Sequence, residues 1–177
     1  MQKEDLKNKA GLIISILKKE YGSPETALKH NTAHQILIAT ILSAQCTDKQ
    51  VNIVTEDLFK KYPDISSLAK ANPEDIKTII KSTGFYRNKA KNIINTSKMI
   101  LDDFKGKVPD TMKNLIKLPG VARKTANIVL SEYYGKNEGI AVDTHVIRLS
   151  GRLGLTESKN PNIIEKDLIK ITEKKDW

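Results

Sequence analysis

The sequence predicts an all-α protein, and two observations lead to that fold class. Apolar residues recur at helical spacing along nearly the whole chain, and helix-start and helix-stop signals divide it into segments. Sustained period-two alternation, which is typical of strands, does not occur in the sequence, and only residues 139–142 are expected to be extended. The 177 residues suffice for one domain with a small second lobe.

The first three helices are predicted from their apolar positions. Residues 35–42 are apolar on almost all sides, so we expect a central, buried helix there. A helix over residues 48–61 has one apolar face and ends before Pro63. The N-terminal helix carries an apolar stripe formed by Leu6, Ala10, Ile13, Ile14 and Leu17.

The next helix is predicted from its ends. Asn72 is a good N-cap, Pro73 suits the first turn, and Glu74 and Asp75 suit the positive end of the helix dipole. Gly84 is expected to stop this helix. Further helices are predicted over residues 88–103, 111–117, 121–133, 144–153 and 161–172.

Composition narrows the possible partners. The formal charge is +9, from 30 basic and 21 acidic residues, which favours a polyanionic partner such as nucleic acid over a merely lysine-rich surface. The single cysteine, Cys46, allows no intramolecular disulfide and no thiolate cluster within the chain. The start of the chain does not resemble a signal peptide, and no apolar run approaches the ~20 residues that span a bilayer, so we expect a cytoplasmic protein.

Two segments of the chain resemble one another. Residues 84–90 and 120–126 both read G-x-x-R-x-x-A, where one predicted helix gives way to the next. Two helix–hairpin–helix corners would explain the match, and so would chance. In the second segment Pro119-Gly120 form a tight turn before a helix whose first N–H groups lack intrahelical partners. That corner suits a DNA phosphate, with an ordinary tight turn between helices as the alternative.

Four separate segments resemble the endonuclease III family of DNA glycosylases. LPGVARKTANIVL followed by AVDTH is similar to the family's helix–hairpin–helix and catalytic segment; residues 41–48 and 84–90 match two further motifs. The resemblance implies the helix–hairpin–helix glycosylase fold and base excision repair. It implies Lys124 as the nucleophile and Asp143 as the essential carboxylate of a glycosylase that is also an abasic-site (AP) lyase. The expected substrate is double-stranded DNA with an abasic site or a damaged base, such as the oxidised pyrimidine thymine glycol.

The chemistry constrains both catalytic residues. An ammonium cannot attack a sugar carbon, so Lys124 must be neutral part of the time, and we expect desolvation and the positive helix end to favour that form. A solvated helix lysine is the alternative. Asp143 would stabilise positive charge on the sugar, and it also stands where an N-cap is expected.

The resemblance also implies DNA-contacting residues. Gln45 and Phe85 would fill the space left by an extruded base, although relatives usually carry leucine where Phe85 stands. Asp48, His145 and Arg148 would lie near the lesion or the DNA backbone; helix-capping or solvated roles are the alternatives. In the hairpin the implied DNA-binding residues are Gly120, Val121, Ala122, Arg123 and Thr125, with Ala122 at a position that is often glycine in the family.

Cofactors and partners follow from the same resemblance. Backbone carbonyls of Ile116, Leu118 and Val121 would bind a monovalent cation. The family usually carries a 4Fe-4S cluster on a C-terminal segment, whose cysteine ligands do not occur in this sequence. We therefore expect no cluster here, a chain that is truncated or has a reduced lobe, and partial exposure of the N-terminal apolar stripe. A monomer is expected because a cleft that wraps a duplex needs no partner subunit.

The implied domain division has three parts. Residues 1–21 form a helix of the second lobe, residues 22–136 form a six-helix barrel with the hairpin at about 112–133, and residues 137–177 form the catalytic aspartate segment and an incomplete C-terminal lobe. Two competing functions stay open. One is a glycosylase of mismatch specificity, and the other is a non-catalytic helix–hairpin–helix fragment that only binds DNA.

Overall fold

The structure is a computed structural model that describes residues 3–22 and 26–177. Within those ranges it contains ten α-helices and no β-strand, which confirms the all-α prediction. The chain divides into two compact units. The central unit comprises residues 26–135, and the terminal unit comprises residues 1–25 together with residues 136–177. None of the described helices is long and apolar enough to cross a membrane.

Seven α-helices and one 3₁₀ turn make up the central unit. They are α2 (Ala33–Ser43), α3 (Asp48–Lys61), α4 (Ile65–Ala69), α5 (Pro73–Ile79), the 3₁₀ turn Lys81–Thr83, α6 (Tyr86–Phe104), α7 (Met112–Leu115) and α8 (Arg123–Tyr134). The terminal unit contains α1 (Lys3–Tyr21), α9 (Thr144–Arg152), α10 (Pro161–Ile171) and a 3₁₀ turn, Lys174–Asp176.

Helix α2 is the centre of the larger core, as its apolar sequence predicts. Every residue from Ile36 to Leu42 is buried, and α3, α6 and α8 all pack against this helix. Helix α8 contributes Ala126, Val129 and Leu130, each fully buried. Burial of that face fixes α8 against the core, and so fixes the hairpin turn that precedes it.

The ends of α5 correct one prediction. The start is as predicted, because the Asn72 side chain accepts a hydrogen bond from the Glu74 N–H at 2.9 Å. The helix does not run on to Gly84, however. It ends at Ile79, and the chain tightens into the 3₁₀ turn, after which Gly84 adopts a φ of 69°. The glycine thus terminates the turn rather than the α-helix.

Helix α4 was not predicted. It begins with a capping box in which the Asp64 carboxylate accepts from the Ser67 N–H at 2.7 Å and the Ser67 hydroxyl accepts from the Asp64 N–H at 3.2 Å. Five residues are too few to establish an apolar period, so the box was its only sequence signal.

The terminal unit has a small core of its own. Ala10, Val142, Ile164, Leu168 and Ile171 form it. Of the predicted N-terminal stripe, Ala10 is buried, Leu6, Ile13 and Ile14 are half-buried, and only Leu17 is exposed. Three large apolar side chains of α1 outside that stripe are also exposed, namely Leu12 at 63%, Ile16 at 57% and Tyr21 at 75%.

Candidate functional site

The turn between α7 and α8 is a tight hairpin. The Leu118 N–H donates to the Leu115 carbonyl, and the Val121 N–H donates to the Leu118 carbonyl, each at 3.1 Å. Between these bonds Gly120 has a φ of 77°, in the left-handed region that favours glycine. Val121 then buries its side chain in the core, 6% exposed. The hairpin is therefore anchored by backbone bonds and by one apolar residue.

Helix α6 packs against the hairpin and supports it through Thr96 and Asn92. The Thr96 hydroxyl, on a fully buried side chain, donates to the Pro119 carbonyl at 2.7 Å. A Cβ at Gly120 would lie 2.6 Å from Nδ2 of Asn92 and 2.9 Å from its Cβ and Cγ. Because the Asn92 Cβ belongs to the helix and cannot swing away, only glycine allows the turn this close to α6.

Ala122 shows why a second glycine is not needed in the hairpin. It is the N-cap of α8 with φ −87° and ψ 170°, an extended conformation open to any residue. Its side chain gives no hydrogen bond to the first turn of α8, whereas Thr47 accepts one at the start of α3. The positive end of α8 thus begins at an exposed residue without a side-chain cap.

Lys124 is the second residue of α8 and is exposed. Its neighbour Arg123 is exposed as well, and Thr125 is half-buried. The expectation that burial within the protein desolvates the Lys124 amine is therefore wrong. Its location in the first turn of α8, at the positive end of the helix, is the one that the sequence predicts.

Asp143 caps α9 in the terminal unit, as its sequence position predicts. One carboxylate oxygen, Oδ1, accepts from the N–H groups of His145 and Val146, each at 2.9 Å. These two bonds fix the half-buried carboxylate in one orientation. His145 and Arg148 are exposed on the same helix.

Gln45 and Phe85 share an unusual backbone in the central unit. Their φ values are 54° and 47°, and in the described ranges Lys105 is the only other non-glycine residue with a positive φ. Both side chains are exposed, Phe85 by 63%. Such conformations cost free energy and recur at functional sites. Asp48, by contrast, is an ordinary exposed residue in the first turn of α3.

A buried lysine lies between these two segments and was not singled out from the sequence. The Lys89 ammonium donates to the Leu42 carbonyl at 2.8 Å and to the Thr83 carbonyl at 2.7 Å, and the residue is 5% exposed. Burial lowers the pKa of Lys89, against a raising influence from Cys46. The available signal was its position four residues before Ile93, on the buried stripe of α6.

Metal-binding groups are restricted by composition. The 177 residues contain one cysteine, Cys46, which is half-buried. In residues 3–22 and 26–177 no three His, Cys, Asp or Glu side chains are grouped to hold a metal ion. One thiol does not fit a cluster that needs four cysteine ligands.

Comparison with known proteins assigns the family. Residues 38–174 match the HhH-GPD superfamily base excision DNA repair protein model. Endonuclease III of Synechocystis sp. is 52% identical over 171 residues, which is 97% of this chain and 78% of the relative. Endonuclease III of Bacillus subtilis is 47% identical over 154 residues, or 86% of this chain and 70% of the relative.

Solved structures agree with that assignment. A trapped endonuclease III–DNA covalent intermediate, an estranged-adenine complex, superposes with a TM-score of 0.92 at 41% identity, covering 97% of this chain and 80% of that one. A thermostable thymine-DNA glycosylase, at 21% identity and a TM-score of 0.78 over 92% of this chain and 78% of that one, shows the same fold.

The chain belongs to the HhH-GPD superfamily of base excision DNA repair proteins, and within it to the endonuclease III family. It is a DNA glycosylase with AP lyase activity, and its substrate is DNA. This confirms the fold and function that the sequence resemblance implied.

Proposed function

We propose that the chain removes oxidised pyrimidines such as thymine glycol from duplex DNA, with Lys124 as the nucleophile and Asp143 as its carboxylate partner. The supporting observation is the position of Lys124, exposed at the positive end of α8, directly after the Gly120 turn. A DNA backbone seated on that helix end would bring a sugar towards the lysine amine.

The hairpin would hold the DNA backbone. Gly120 and Ala122 keep side-chain bulk away from the turn, so a phosphate oxygen can approach the backbone N–H groups at the start of α8. Arg123 would add a charge-assisted contact to phosphate, and Thr125 a hydroxyl. Val121 would contribute its backbone, because its side chain is buried.

Lys124 would carry the covalent chemistry. Its neutral amine attacks C1′ of the lesion nucleotide, and the glycosidic bond breaks as its electron pair leaves with the base, which takes up a proton. After loss of an amine proton, the nitrogen lone pair forms a C1′=N double bond as the C1′–O4′ bond breaks, and O4′ takes up a proton, which gives the ring-opened Schiff base. Removal of a C2′ proton then expels the 3′ phosphate by β-elimination.

Asp143 would stabilise the positive charge that develops on the sugar. Its Oδ1 already accepts two backbone N–H bonds, so the carboxylate is oriented before DNA binds. His145 and Arg148, exposed on the helix that Asp143 caps, would contact the lesion or the backbone beside it. Asp48 would do the same from the start of α3.

Gln45 and Phe85 would occupy the space of the extruded base. The Gln45 amide can hydrogen-bond the orphaned partner base, and the Phe85 ring can wedge between neighbouring bases. The exposure of both side chains supports this role, since Phe85 is a large apolar residue that is nevertheless 63% exposed.

Backbone carbonyls of the hairpin would also bind a cation. Carbonyl oxygens of Ile116, Leu118 and Val121 suit a hard monovalent cation, which would neutralise phosphate charge at the hairpin. The Leu118 carbonyl, which accepts from the Val121 N–H, retains a second lone pair.

We further propose that these residues work without a 4Fe-4S cluster, as a monomer in the prokaryotic cytoplasm. Residues 22–136 would act as the barrel domain that carries the hairpin, with residues 1–21 and 137–177 as the second lobe.

Borohydride trapping on a duplex with an abasic site tests the nucleophile. The chain should form a covalent adduct, Lys124→Ala should form none, and Lys117→Ala is the matched control because Lys117 is an exposed lysine of the same hairpin. An adduct with folded Lys124→Ala would assign the chemistry to another amine. Binding without any adduct from the unsubstituted chain would favour the DNA-binding fragment instead.

Asp143→Asn tests the carboxylate separately. Asparagine caps helices as well as aspartate does. The free energy of unfolding of the variant should therefore lie within about 0.5 kcal/mol of that of the parent. Release of thymine glycol should nevertheless fall by at least about a hundredfold, because the negative charge is gone. Unchanged base release by Asp143→Asn would remove Asp143 from the mechanism.

A further inference from the structure

A single buried ammonium group joins the segments that carry Gln45 and Phe85. We propose that Lys89 is a positioning residue that fixes the spacing of these two side chains, so that they enter the base stack together. The inference rests on the insertion roles proposed above for Gln45 and Phe85. It adds a residue that touches neither DNA nor the reacting atoms.

Lys89 contacts one backbone carbonyl in each of the two segments. The Leu42 carbonyl lies in the last turn of α2, three residues before Gln45, and the Thr83 carbonyl lies two residues before Phe85. Carbonyls in the last turn of a helix have no intrahelical partner and carry partial negative charge. The Lys89 ammonium bonds to one such group from each segment, at 2.8 Å and 2.7 Å. Two stretches of chain separated by about forty residues are thus tied through one nitrogen atom.

Packing alone does not account for a lysine at this position. A buried charge loses its hydration, and a methionine of similar length would fill the same volume without that loss. The pKa of Lys89 is lowered by this desolvation, because burial disfavours the charged form of its amine. What the ammonium provides, and methionine does not, is a pair of directional bonds to two separate carbonyls.

Both segments need external support because of their backbones. Gln45 and Phe85 have positive φ values, which cost free energy and persist only where surrounding contacts impose them. A second bond between the same parts of the unit runs from Gln50 Nε2 to the Ser82 hydroxyl at 2.9 Å, but both groups are exposed there. The buried Lys89 bonds are therefore the stronger constraint.

Hydrogen exchange in the DNA-free full chain tests the structural half. Lys89→Met should speed amide exchange across residues 43–47 and 82–86 together, while Lys91→Met, an exposed lysine of the same helix, should change neither. Lys89→Arg, which keeps the donors, should restore slow exchange in part. Unchanged exchange in both segments of folded Lys89→Met overturns the inference.

The functional half is tested by comparing two abasic substrates. A single strand needs no base-stack insertion, so Lys89→Met should slow borohydride trapping on the duplex about tenfold while leaving the single-strand rate unchanged. Equal slowing on both substrates would mean a general structural defect and would overturn the inference. If Lys89→Met does not fold, Lys89→Gln, which keeps one donating amide, serves for both measurements. Amide exchange like that of the parent in that variant, together with a parent-like ratio of duplex to single-strand trapping rates, overturns the inference.

Gln45→Ala and Phe85→Ala separate this inference from the proposed function. If both lower the duplex-to-single-strand ratio and folded Lys89→Met does not, insertion stands and only the role of Lys89 fails. If neither lowers the ratio, the proposed insertion fails and the positioning role fails with it. A reduced ratio in all three variants, with Lys91→Met like the parent, supports both.

Discussion

Gly120→Ala should be unusually destabilising for a glycine at an exposed turn. The left-handed backbone at Gly120, φ 77°, costs a non-glycine residue about 1–2 kcal/mol. The added Cβ would also lie 2.9 Å from the Cβ of Asn92 on α6, and relieving such an overlap costs about 1–3 kcal/mol. The two effects together predict a loss of about 2–5 kcal/mol in the free energy of unfolding.

Gly135→Ala is the matched control. Gly135 ends α8 with a φ of 62°, but no atom lies within 4 Å of the Cβ it would gain. It should therefore lose only the backbone contribution of about 1–2 kcal/mol. Urea unfolding is best followed by far-UV circular dichroism, because the single tryptophan, Trp177, belongs to the terminal unit.

The comparison isolates the contact with α6. Equal losses for Gly120→Ala and Gly135→Ala would show that the hairpin shifts away from Asn92 at no cost, which would refute the close-packing argument. DNA binding gives a second measure. Fluorescence anisotropy with a duplex carrying an abasic-site analogue should show weaker binding for Gly120→Ala and unchanged binding for Gly135→Ala.

Three further predictions concern the central unit. Thr96→Val removes the hydroxyl that bonds the Pro119 carbonyl and should cost about 1 kcal/mol in urea unfolding while weakening DNA binding; unchanged values for both would contradict the support of the hairpin by α6. Leu130→Ala should cost about 2–5 kcal/mol, since this α8 side chain is fully buried, and a smaller loss would mean that the core collapses around the gap. Burial lowers the pKa of His34 below 6.5 in the folded chain. At pH values between that lowered pKa and 6.5, the unfolded chain therefore binds more protons than the folded chain does. Stability should therefore fall as the pH drops from 6.5 through the folded-state pKa, and His34→Gln should lose less over the same interval; identical pH profiles for the two chains would count against the His34 assignment.

The elements that sequence predicted well have strong local signals. Helix α2 follows from its uninterrupted apolar run, and the start of α5 follows from the Asn72 cap. Helix α4 and the 3₁₀ end of the α5 segment were missed, because a few residues define no period and a glycine signal does not say which kind of helix it terminates.

Candidate site residues could be named from the sequence, whereas the surroundings of their side chains could not. Lys124 and Asp143 were named from motifs, and the cap made by Asp143 was named from its position. The sequence left open whether Lys124 is desolvated or solvated, because burial depends on the packing of distant residues; the structure shows it exposed. Lys89 was missed for a related reason. Its partners are backbone carbonyls, which every residue has, so no sequence pattern reveals which of them a lysine will meet.

If Gln45 and Phe85 enter DNA as proposed, their left-handed backbones place stability and repair in opposition. Glycine at either position would relieve the strain and raise the melting temperature, while removing a side chain proposed to enter DNA. A laboratory selection for heat resistance alone would therefore favour glycine at both sites and yield sturdier, catalytically poorer enzymes. On the proposed insertion role, the present residues represent a compromise that only selection on damaged DNA would maintain.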